Sequence, residues 1–328
     1  MKRFLALGAI SLLGACAMTG QQAAAPASGG VVKITPIGSH DGEFCAFDRA
    51  MIFEDPDGTR LIFDVGRTVR GASDPRLGKI DAVLLTHVHG DHIGDSHQAA
   101  SGAGTCAAPD VSVRDTPNSN TVNVVMGTQA PLVVGGEMHF FFQAKIKSLG
   151  GDPAKLVRLA RYSASTMVGK VQVISVPAAH TNGLVAAFLE KGQAELLAAN
   201  GLTAYVGPPG GFVLRFSNGL VAYLSGDTGI TADQEVLRNY YKVNLAVMSI
   251  GGAPNMAGPD EAAYVMNDMV RPNSIIAWHA NEAATQGGKV LPNTKTAAFQ
   301  KAAKMPVYAP LSGKTMEFDG SGRCTAGC

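Results

Sequence analysis

The stretch Thr86-His87-Val88-His89-Gly90-Asp91-His92-Ile93-Gly94 directly follows an apolar run at residues 81–85 and contains three of the eight histidines of the chain. Imidazole is the commonest protein ligand for zinc, and a carboxylate is a natural complement for a second cation. A strand that ends in such a cluster presents several ligands from one rigid edge. Alternating positions direct His87 and His89 toward one ion, and Asp91 and His92 toward a neighbouring ion. The stretch therefore predicts a metal site at the end of a buried strand.

The spacing H-x-H-x-D-H after a strand resembles the signature of the metallo-β-lactamase superfamily. This resemblance implies three further ligands, each after a later apolar strand, and the chain has a candidate for each. His180 follows the apolar run 171–176. Asp227 follows a run that ends at 224, and His279 follows a run that ends at 278. The resemblance also implies the α/β (α+β) fold of that family, which is an αββα sandwich of two mixed sheets flanked by helices.

The same resemblance implies a site for two zinc ions per chain, with manganese and iron as alternative metals. The implied metal ligands are His87, His89, Asp91, His92, His180, Asp227 and His279. The three histidines of the first ion, His87, His89 and His180, leave a position open, which is typical of a catalytic zinc site. Asp91, His92 and His279 would hold the second ion, and Asp227 would join the two. The implied catalytic residues are Asp227 and Asp91, the latter as proton carrier.

The reaction expected from this ligand set is hydrolysis by a hydroxide that bridges the two ions. Even one zinc ion lowers the pKa of a bound water to about 7, so a water between two ions is easily deprotonated. The segments Ser225-Gly226-Asp227-Thr228 and Ile34-Thr35-Pro36-Ile37-Gly38 resemble the branch of the superfamily that holds ascorbate-phosphate lactonases, RNase Z-type nucleases and class II cyclic-nucleotide phosphodiesterases. This likeness favours cleavage of a small-molecule phosphodiester or of a lactone or ester.

Other activities stay open under the same ligand set. Glyoxalase II-like thioesterases and acyl-homoserine-lactone lactonases share it, and a mononuclear iron enzyme similar to persulfide dioxygenases keeps the histidine motif. Asp227 disfavours a β-lactamase, because those enzymes place a cysteine on the second metal or lack the bridging carboxylate. His89 disfavours a flavodiiron-type protein, which has glutamate there. A binding protein with a relict site is disfavoured because every implied ligand is present.

The composition agrees with a folded enzyme. The chain has 328 residues, of which 46% are hydrophobic and 16% are charged, so it can bury a large core. The net charge is +1 and no block of lysine or arginine stands out, so we expect no nucleic-acid partner. The composition makes no prediction about oligomeric state.

The N-terminus has the pattern of a secretory signal. Lys2 and Arg3 precede an apolar stretch at 4–13 that is too short to span a membrane as a helix. Leu13-Gly14-Ala15-Cys16 resembles the lipobox of bacterial lipoproteins, in which Cys16 is lipidated. We therefore expect a signal peptide at 1–16, a flexible tether at 17–30, and a periplasmic lipoprotein that contacts the membrane only through this anchor. Alternatively, Ala15-Cys16-Ala17 is an ordinary cleavage site and the protein is free in the periplasm or secreted.

Export would place the other four cysteines in an oxidising compartment. An even number there predicts up to two disulfides, and three connectivities are open. In one of them, Cys324 and Cys328 close a small terminal loop, while Cys45 and Cys106 tie the first hairpin to the loop beyond the metal motif. None of the four matches the position of an implied metal ligand.

Short apolar strands alternate with turns and several helices beyond the tether. The predicted strands are 31–37, 50–53, 60–65, 81–86, 171–176, 211–216, 220–224 and 245–250. The predicted helices are 137–149, a helix that begins at Pro153 after the N-cap Asp152, one from Thr231 to about Tyr241, 259–270 and 294–304. Together they predict one domain at 31–320, followed by a cysteine-containing tail at 321–328.

Other residues near the motifs are candidates for supporting roles. His40 lies in a loop at the end of the first predicted strand, and Asn281 follows the last implied ligand, so both are candidates for substrate contact. His97 is a candidate for a hydrogen bond that orients a ligand. Trp278, the only tryptophan, is expected to pack in the core beneath the site.

Overall fold

The structure is a computed structural model that describes residues 29–328. The predicted signal peptide with Cys16, and all but the last two residues of the predicted tether, lie outside the described residues. Within the described residues, two large sheets pack face to face and helices cover the outer face of each.

The first sheet combines antiparallel and parallel strands. Its eight strands, in spatial order, are Cys324–Ala326, Met316–Phe318, Val32–Ile37, Ala50–Glu54, Arg60–Phe63, Ala82–Leu84, Leu132–Val134 and Val157–Leu159. The last four run parallel, and the remaining neighbours pair antiparallel. The segment predicted as a tail therefore contributes the edge strand of this sheet.

The second sheet has seven strands and is also mixed. In spatial order they are Val307–Tyr308, Ser274–Trp278, Leu245–Ser249, Val221–Leu224, Gly210–Arg215, Val171–Pro177 and Ser165–Val168. The first four run parallel and the others antiparallel. Three short pairs complete the strands of the described chain: Ser96–His97 with Val113–Arg114, Gly183–Leu184 with Ala204–Tyr205, and Thr285–Gln286 with Lys289–Val290.

Both faces of each sheet are buried. Neighbouring residues of a strand point to opposite faces, so Phe53 packs between the sheets while Ile52 packs beneath helices. In the second sheet, Val247 packs between the sheets and Met248 packs beneath the helices on the other side. Burial on both faces explains why these strands are apolar at successive positions rather than at alternate ones. The result is the αββα sandwich, which confirms the predicted fold.

Trp278 lies in the layer between the sheets, as predicted. It is fully buried, and its ring centroid is 4.9 Å from that of Phe63 and 5.6 Å from that of His92. Its indole Nε1 donates to the carbonyl oxygen of Arg49 at 2.7 Å, so the polar atom of this side chain is satisfied.

The predicted helices are confirmed in most places. The helices of the described residues are Gly90–Ile93, Asn120–Thr128, Met138–Ser148, Pro153–Leu156, Lys191–Ala199, Gln234–Val236, Pro259–Tyr264 and Lys295–Ala302, with a 3-10 turn at Ala186–Phe188. Two of them continue as π-helical turns, Leu237–Tyr241 and Val265–Val270. The predicted helix at Pro153 is only four residues long, because the chain then joins the first sheet at Val157. In the described part of the chain, no helix is both long and apolar enough to cross a membrane.

The structure selects one of the three cysteine connectivities that the sequence leaves open. Cys45 is bonded to Cys106, and Cys324 is bonded to Cys328. The first disulfide joins residues 61 apart in sequence and fixes the loop that precedes the strand Ala50–Glu54.

Candidate metal centre

The predicted metal motif lies where the carboxyl ends of several strands meet. Ala82–Leu84 leads to His87, Val221–Leu224 leads to Asp227, and Ser274–Trp278 leads to His279. After His89, one helical turn at Gly90–Ile93 reverses the chain and brings Asp91 and His92 toward the same point. The site is therefore assembled from both sheets of the sandwich.

Two glycines allow the backbone to approach closely at this edge. Gly94 ends the helical turn with a φ of +75°, and a Cβ there would lie 2.5 Å from the carbonyl oxygen of Gly66. Gly226 precedes Asp227 with a φ of +59°, and a Cβ there would lie 2.6 Å from the carbonyl oxygen of Gly210. Both the backbone conformation and the available space require glycine at these two positions.

The structure brings all seven predicted ligands together. Their ligand atoms form three overlapping groups, within each of which the atoms lie within 4.8 Å of one another: His87, His89 and His180; His87, His92 and Asp227; Asp91, His92 and His279. Ring nitrogens of different histidines approach closely, with His87 Nε2 at 3.0 Å from His89 Nδ1 and His279 Nε2 at 3.1 Å from His92 Nε2. Two of these groups are the sets predicted for the first and the second ion, and the third group joins one member of each through Asp227.

Asp227 lies at the centre of the cluster. Its Oδ2 is 3.3 Å from the Nε2 atoms of both His92 and His279, 3.7 Å from His180 Nε2 and 3.9 Å from His87 Nε2. Its Oδ1 is buried and has no hydrogen-bond partner among the described residues. A buried oxygen without a partner costs about 1–3 kcal/mol, so this atom points to a group that the protein does not itself supply.

Asp64, which the sequence analysis missed, orients two of the histidines. Its Oδ2 accepts from His92 Nδ1 and from the Thr86 hydroxyl, each at 2.8 Å, and its Oδ1 accepts from the Thr86 backbone N–H at 2.9 Å. Because the Thr86 hydroxyl gives its proton to Asp64, it can only accept from His87 Nδ1, which is 2.9 Å away. Asp64 therefore keeps a proton on Nδ1 of both rings, and Nε2 of each is the nitrogen directed into the cluster.

Asp64 also corrects a predicted strand. The sequence predicts a strand over 60–65, but the strand ends at Phe63 because Asp64 has a φ of +41°. This backbone turn places the carboxylate beside Thr86 at the end of the neighbouring parallel strand.

Two other histidines are oriented by groups on neighbouring loops. His180 Nδ1 donates to the carbonyl oxygen of Asn255 at 2.9 Å, which leaves His180 Nε2 facing His89 Nδ1 at 3.1 Å. On the other side of its ring, His89 Nε2 lies 3.3 Å from the Thr181 hydroxyl. His89 thus presents Nδ1 to the cluster, whereas His87, His92 and His180 present Nε2.

Arg49 is the second residue that the sequence analysis missed. Its side chain is only 2% exposed, and its Nε and one terminal nitrogen donate to Asp91 Oδ2 at 3.2 and 3.0 Å. The same terminal nitrogen donates to Asn281 Oδ1 at 2.5 Å, and the other donates to the carbonyl oxygens of Ala46 and Asp48, each at 3.1 Å. A buried guanidinium is thus bonded to one of the predicted metal ligands.

The protonation states of the cluster follow from burial and from mutual charge. Burial lowers the pKa of His87 well below its usual value, and burial with the neighbouring His180 and His92 lowers the pKa of His89 to about 4. Burial also lowers the pKa of His92, but the carboxylates of Asp227 and Asp91 outweigh it and raise this pKa to about 10. Burial raises the pKa of Asp227, yet His279 and His92 outweigh this and hold it well below its usual value.

These residues fit a bound cation. Metal ions bind neutral imidazole nitrogens and ionised carboxylates, and those are the states that burial and charge favour for His87, His89 and Asp227. The Nε2 atoms of His87, His92 and His180 are directed inward because their Nδ1 atoms are engaged. Because the pKa of His92 is raised, a cation would displace the Nε2 proton of this ring on binding. The donor set contains nitrogen and oxygen and no sulfur, which suits zinc and the other first-row divalent metals.

The remaining candidates lie outside the cluster. His40 Nδ1 lies 3.1 Å from the Ser39 hydroxyl, and His97 Nδ1 bonds to Asp115 Oδ2 at 2.7 Å. Asn281 accepts from Arg49, so the contact that the structure gives this predicted substrate residue is internal. Because its Nδ1 bonds to Asp115 and not to a member of the cluster, His97 does not orient a ligand as predicted.

The fold and the site define the class of protein. A four-layer αββα sandwich with a histidine and aspartate cluster at its strand ends is that of a metal-dependent hydrolase with the metallo-β-lactamase fold. A family model described as the beta-lactamase superfamily domain matches residues 59–280, and the chain belongs to this family. The match includes all seven clustered residues, from His87 to His279.

Known proteins of similar sequence and structure agree with this assignment. A UPF0173 metal-dependent hydrolase of Cupriavidus taiwanensis is 27% identical over 317 residues, which are 94% of this chain and 96% of the relative. The metallo hydrolase Igni18 of Ignicoccus hospitalis matches with a TM-score of 0.57 and 19% identity, over 88% of this chain and 99% of that one. An isothiocyanate hydrolase from Delia radicum gut bacteria matches with a TM-score of 0.51 and 16% identity, over 88% and 99%. This protein is therefore a metal-dependent hydrolase of the metallo-β-lactamase superfamily.

Proposed function

We propose that this chain is an exported dinuclear zinc hydrolase that cleaves a small-molecule phosphodiester or a lactone or ester. The observation that carries the proposal is the position of Asp227 Oδ2, which is 3.3 Å from His92 Nε2 and 3.7 Å from His180 Nε2. One carboxylate oxygen thus reaches histidines of both predicted ion positions. A shared carboxylate favours two ions held side by side, because it offsets part of the charge of each.

The residues of the chain would divide the work of hydrolysis among them. Zinc, when bound, lowers the pKa of a water molecule and polarises the bond to be cleaved. His87, His89 and His180 would hold one cation, and Asp91, His92 and His279 would hold the other, with Asp227 shared. Arg49 and His279 contact Asp91 through Oδ2, so Oδ1 is the oxygen that would take a proton from the attacking water and pass it to the leaving group.

Exposure of the ligands supports access from the side of Asp91. The Asp91 side chain is 26% exposed, whereas those of His92, His279 and Asp227 are 0–4% exposed. A substrate would therefore need its scissile bond at an end or on its surface. The balanced charge of the chain, +1 over 328 residues, gives no broad positive field for a nucleic-acid strand.

If Cys16 carries the proposed lipid anchor, the topology indicates which end of the domain would face the membrane. Gly30, where the tether enters the domain, lies against Pro56 in the turn that precedes the strand Arg60–Phe63. The other end of that strand leads to Asp64 and the metal centre. An anchored enzyme would consequently present its site on the end of the domain that faces away from the membrane. Labelling of the expressed chain with a radioactive fatty acid tests whether Cys16 is lipidated, and label that persists in Cys16→Ser would contradict the proposed anchor.

The substrate class is tested with zinc-loaded enzyme and a panel of substrates. The panel contains bis-p-nitrophenyl phosphate, cyclic nucleotides, several lactones, a thioester, nitrocefin and an isothiocyanate. We expect turnover of the phosphodiesters or of the lactones. Turnover of only the thioester, nitrocefin or the isothiocyanate would contradict the proposed substrate class, and activity that depends on iron instead of zinc would contradict the proposed metal.

The site itself is tested with three single variants. We expect His89→Ala and Asp227→Ala to fold and to lose turnover, because both residues contact other members of the cluster. His97→Ala is the matched control, since this histidine bonds to Asp115 outside the cluster. Full activity of either cluster variant at a measured, normal metal content would refute the assignment, as would an equal loss in the control.

A further inference from the structure

Arg49 contacts the same oxygen of Asp91 that faces the second ion position. Asp91 Oδ2 is 3.0 Å from the Arg49 terminal nitrogen, 3.1 Å from His279 Nε2 and 3.7 Å from His92 Nε2. A cation between Asp91, His92 and His279 would therefore share this oxygen with a guanidinium. In the described chain, the first position, formed by His87, His89 and His180, has no arginine in contact with its ligand atoms.

The guanidinium cannot easily turn away from Asp91. All three of its nitrogens donate hydrogen bonds, and apart from Asp91 the acceptors are Asn281 and the carbonyl oxygens of Ala46 and Asp48. The side chain is 2% exposed, so its charge is poorly screened by solvent. A second ion would bind next to a fixed positive charge that already neutralises one of its two carboxylates.

We infer that the charge of Arg49 makes the two metal positions unequal, so that the His87, His89 and His180 position fills first and the Asp91, His92 and His279 position binds its ion more weakly. This inference rests on the proposed two-ion site. Repulsion between like charges that share one ligand oxygen opposes the second ion at any dielectric constant typical of a protein. The opposite effect, in which Arg49 strengthens the position by fixing Asp91, is smaller here because the turn Gly90–Ile93 also fixes the backbone of Asp91.

The inference is tested by titration of the metal-free enzyme with Co²⁺, followed by absorption and by metal analysis after equilibrium dialysis. We expect the native chain to bind one ion tightly and a second more weakly. Arg49→Met, which keeps an unbranched side chain but removes the guanidinium and its charge, should tighten the second step by about tenfold or more. The first step should not change, because Arg49 contacts none of its ligands.

Arg67→Met is the matched control for loss of a nearby arginine. Arg67 forms two hydrogen bonds of 2.7 Å with Asp95 and acts on Asp91 through charge without a hydrogen bond to it. The control should leave the first binding step unchanged and should tighten the second much less than Arg49→Met does. An equal gain in the control would overturn the inference, because the general charge and not the contact with Asp91 would then be responsible.

A second variant keeps the test decisive if Arg49→Met does not fold. Asn281→Asp retains Arg49 and offers its guanidinium a competing carboxylate at 2.5 Å, so it should also tighten the second step. Unchanged or weaker second binding in the folded variants would overturn the inference. If two ions bind to every variant with the same constants, only this inference fails. If no variant binds a second ion, the two-ion site fails with it.

Discussion

Asp64→Asn tests the hydrogen-bond arrangement that orients the predicted ligands. The Asp64 carboxylate is fully buried and accepts three hydrogen bonds, from the Thr86 N–H, the Thr86 hydroxyl and His92 Nδ1. An asparagine of the same shape keeps one oxygen and replaces the other with an NH2 group. Whichever way the amide is turned, one of its hydrogens faces a donor. With the NH2 group toward His92, the ring proton would be driven from Nδ1 to Nε2, the atom that faces Asp227.

The expected effect is large in metal binding and moderate in stability. Loss of a group that orients a metal-binding histidine reduces metal affinity about 10–100-fold, which corresponds to about 1.4–2.8 kcal/mol. The unpaired buried donor adds about 1–3 kcal/mol to the loss of unfolding free energy. The assay is competition for Zn²⁺ with a chromophoric chelator at constant pH, combined with urea unfolding of the metal-free protein.

Asp115→Asn provides a control with the same chemistry. Asp115 Oδ2 also accepts from a histidine Nδ1, that of His97, at 2.7 Å, but His97 lies outside the cluster. This variant should lose stability and keep normal zinc affinity. Native zinc affinity in Asp64→Asn, or an equal loss of affinity in Asp115→Asn, would refute the proposed orientation of His92 by Asp64.

Two further predictions concern stability away from the cluster. Burial raises the pKa of Asp74, but hydrogen bonds and charge from Arg76, with a bond from the Arg70 N–H, hold this pKa well below its usual value. The ionised Asp74 carboxylate therefore stabilises the fold above about pH 4, and this stabilisation is lost as the pH falls below that. Asp74→Asn should cost about 1.5–3 kcal/mol at pH 7 and progressively less in acid; a urea-unfolding difference that does not shrink at low pH would contradict this. Replacement of Cys45 and Cys106 by serine should cost about 4 kcal/mol in unfolding free energy, because their disulfide closes a loop between residues 61 apart. Equal urea midpoints for this double variant and the native chain would contradict that prediction.

The main features of the fold could be predicted because they repeat along the chain. Apolar runs that end in a histidine or aspartate indicate buried strands with ligands at their ends, and this pattern led to His180, Asp227 and His279. Strand ends that meet at one edge of a sandwich bring such residues together without any further information. Their order along the chain therefore carried most of the site.

Asp64 and Arg49 could not be predicted in the same way. Each is a single polar residue without a repeating pattern, and its role depends on contacts across the sheets, such as that between Arg49 and Asn281, 232 residues apart. A signal for Asp64 was present, since a charged residue interrupts the apolar run at 60–65 beside a neighbouring strand end. Arg49 gave no such signal.

The helix Asn120–Thr128 was also missed, for a different reason. It is rich in valine, which favours strands, so its sequence does not predict a helix. The structure shows that the Ser119 side chain accepts from the Val122 N–H and caps the helix, while Val122, Val124 and Val125 are buried against the first sheet. Packing in the folded protein outweighs the local preference here.

The central claim, that seven side chains hold two metal ions, is tested most directly by anomalous diffraction from crystals grown with zinc. We expect two anomalous peaks about 3.5–4 Å apart, one beside His87, His89 and His180 and the other beside Asp91, His92 and His279, with Asp227 in contact with both. A single peak, or zinc bound away from this cluster, would contradict the account.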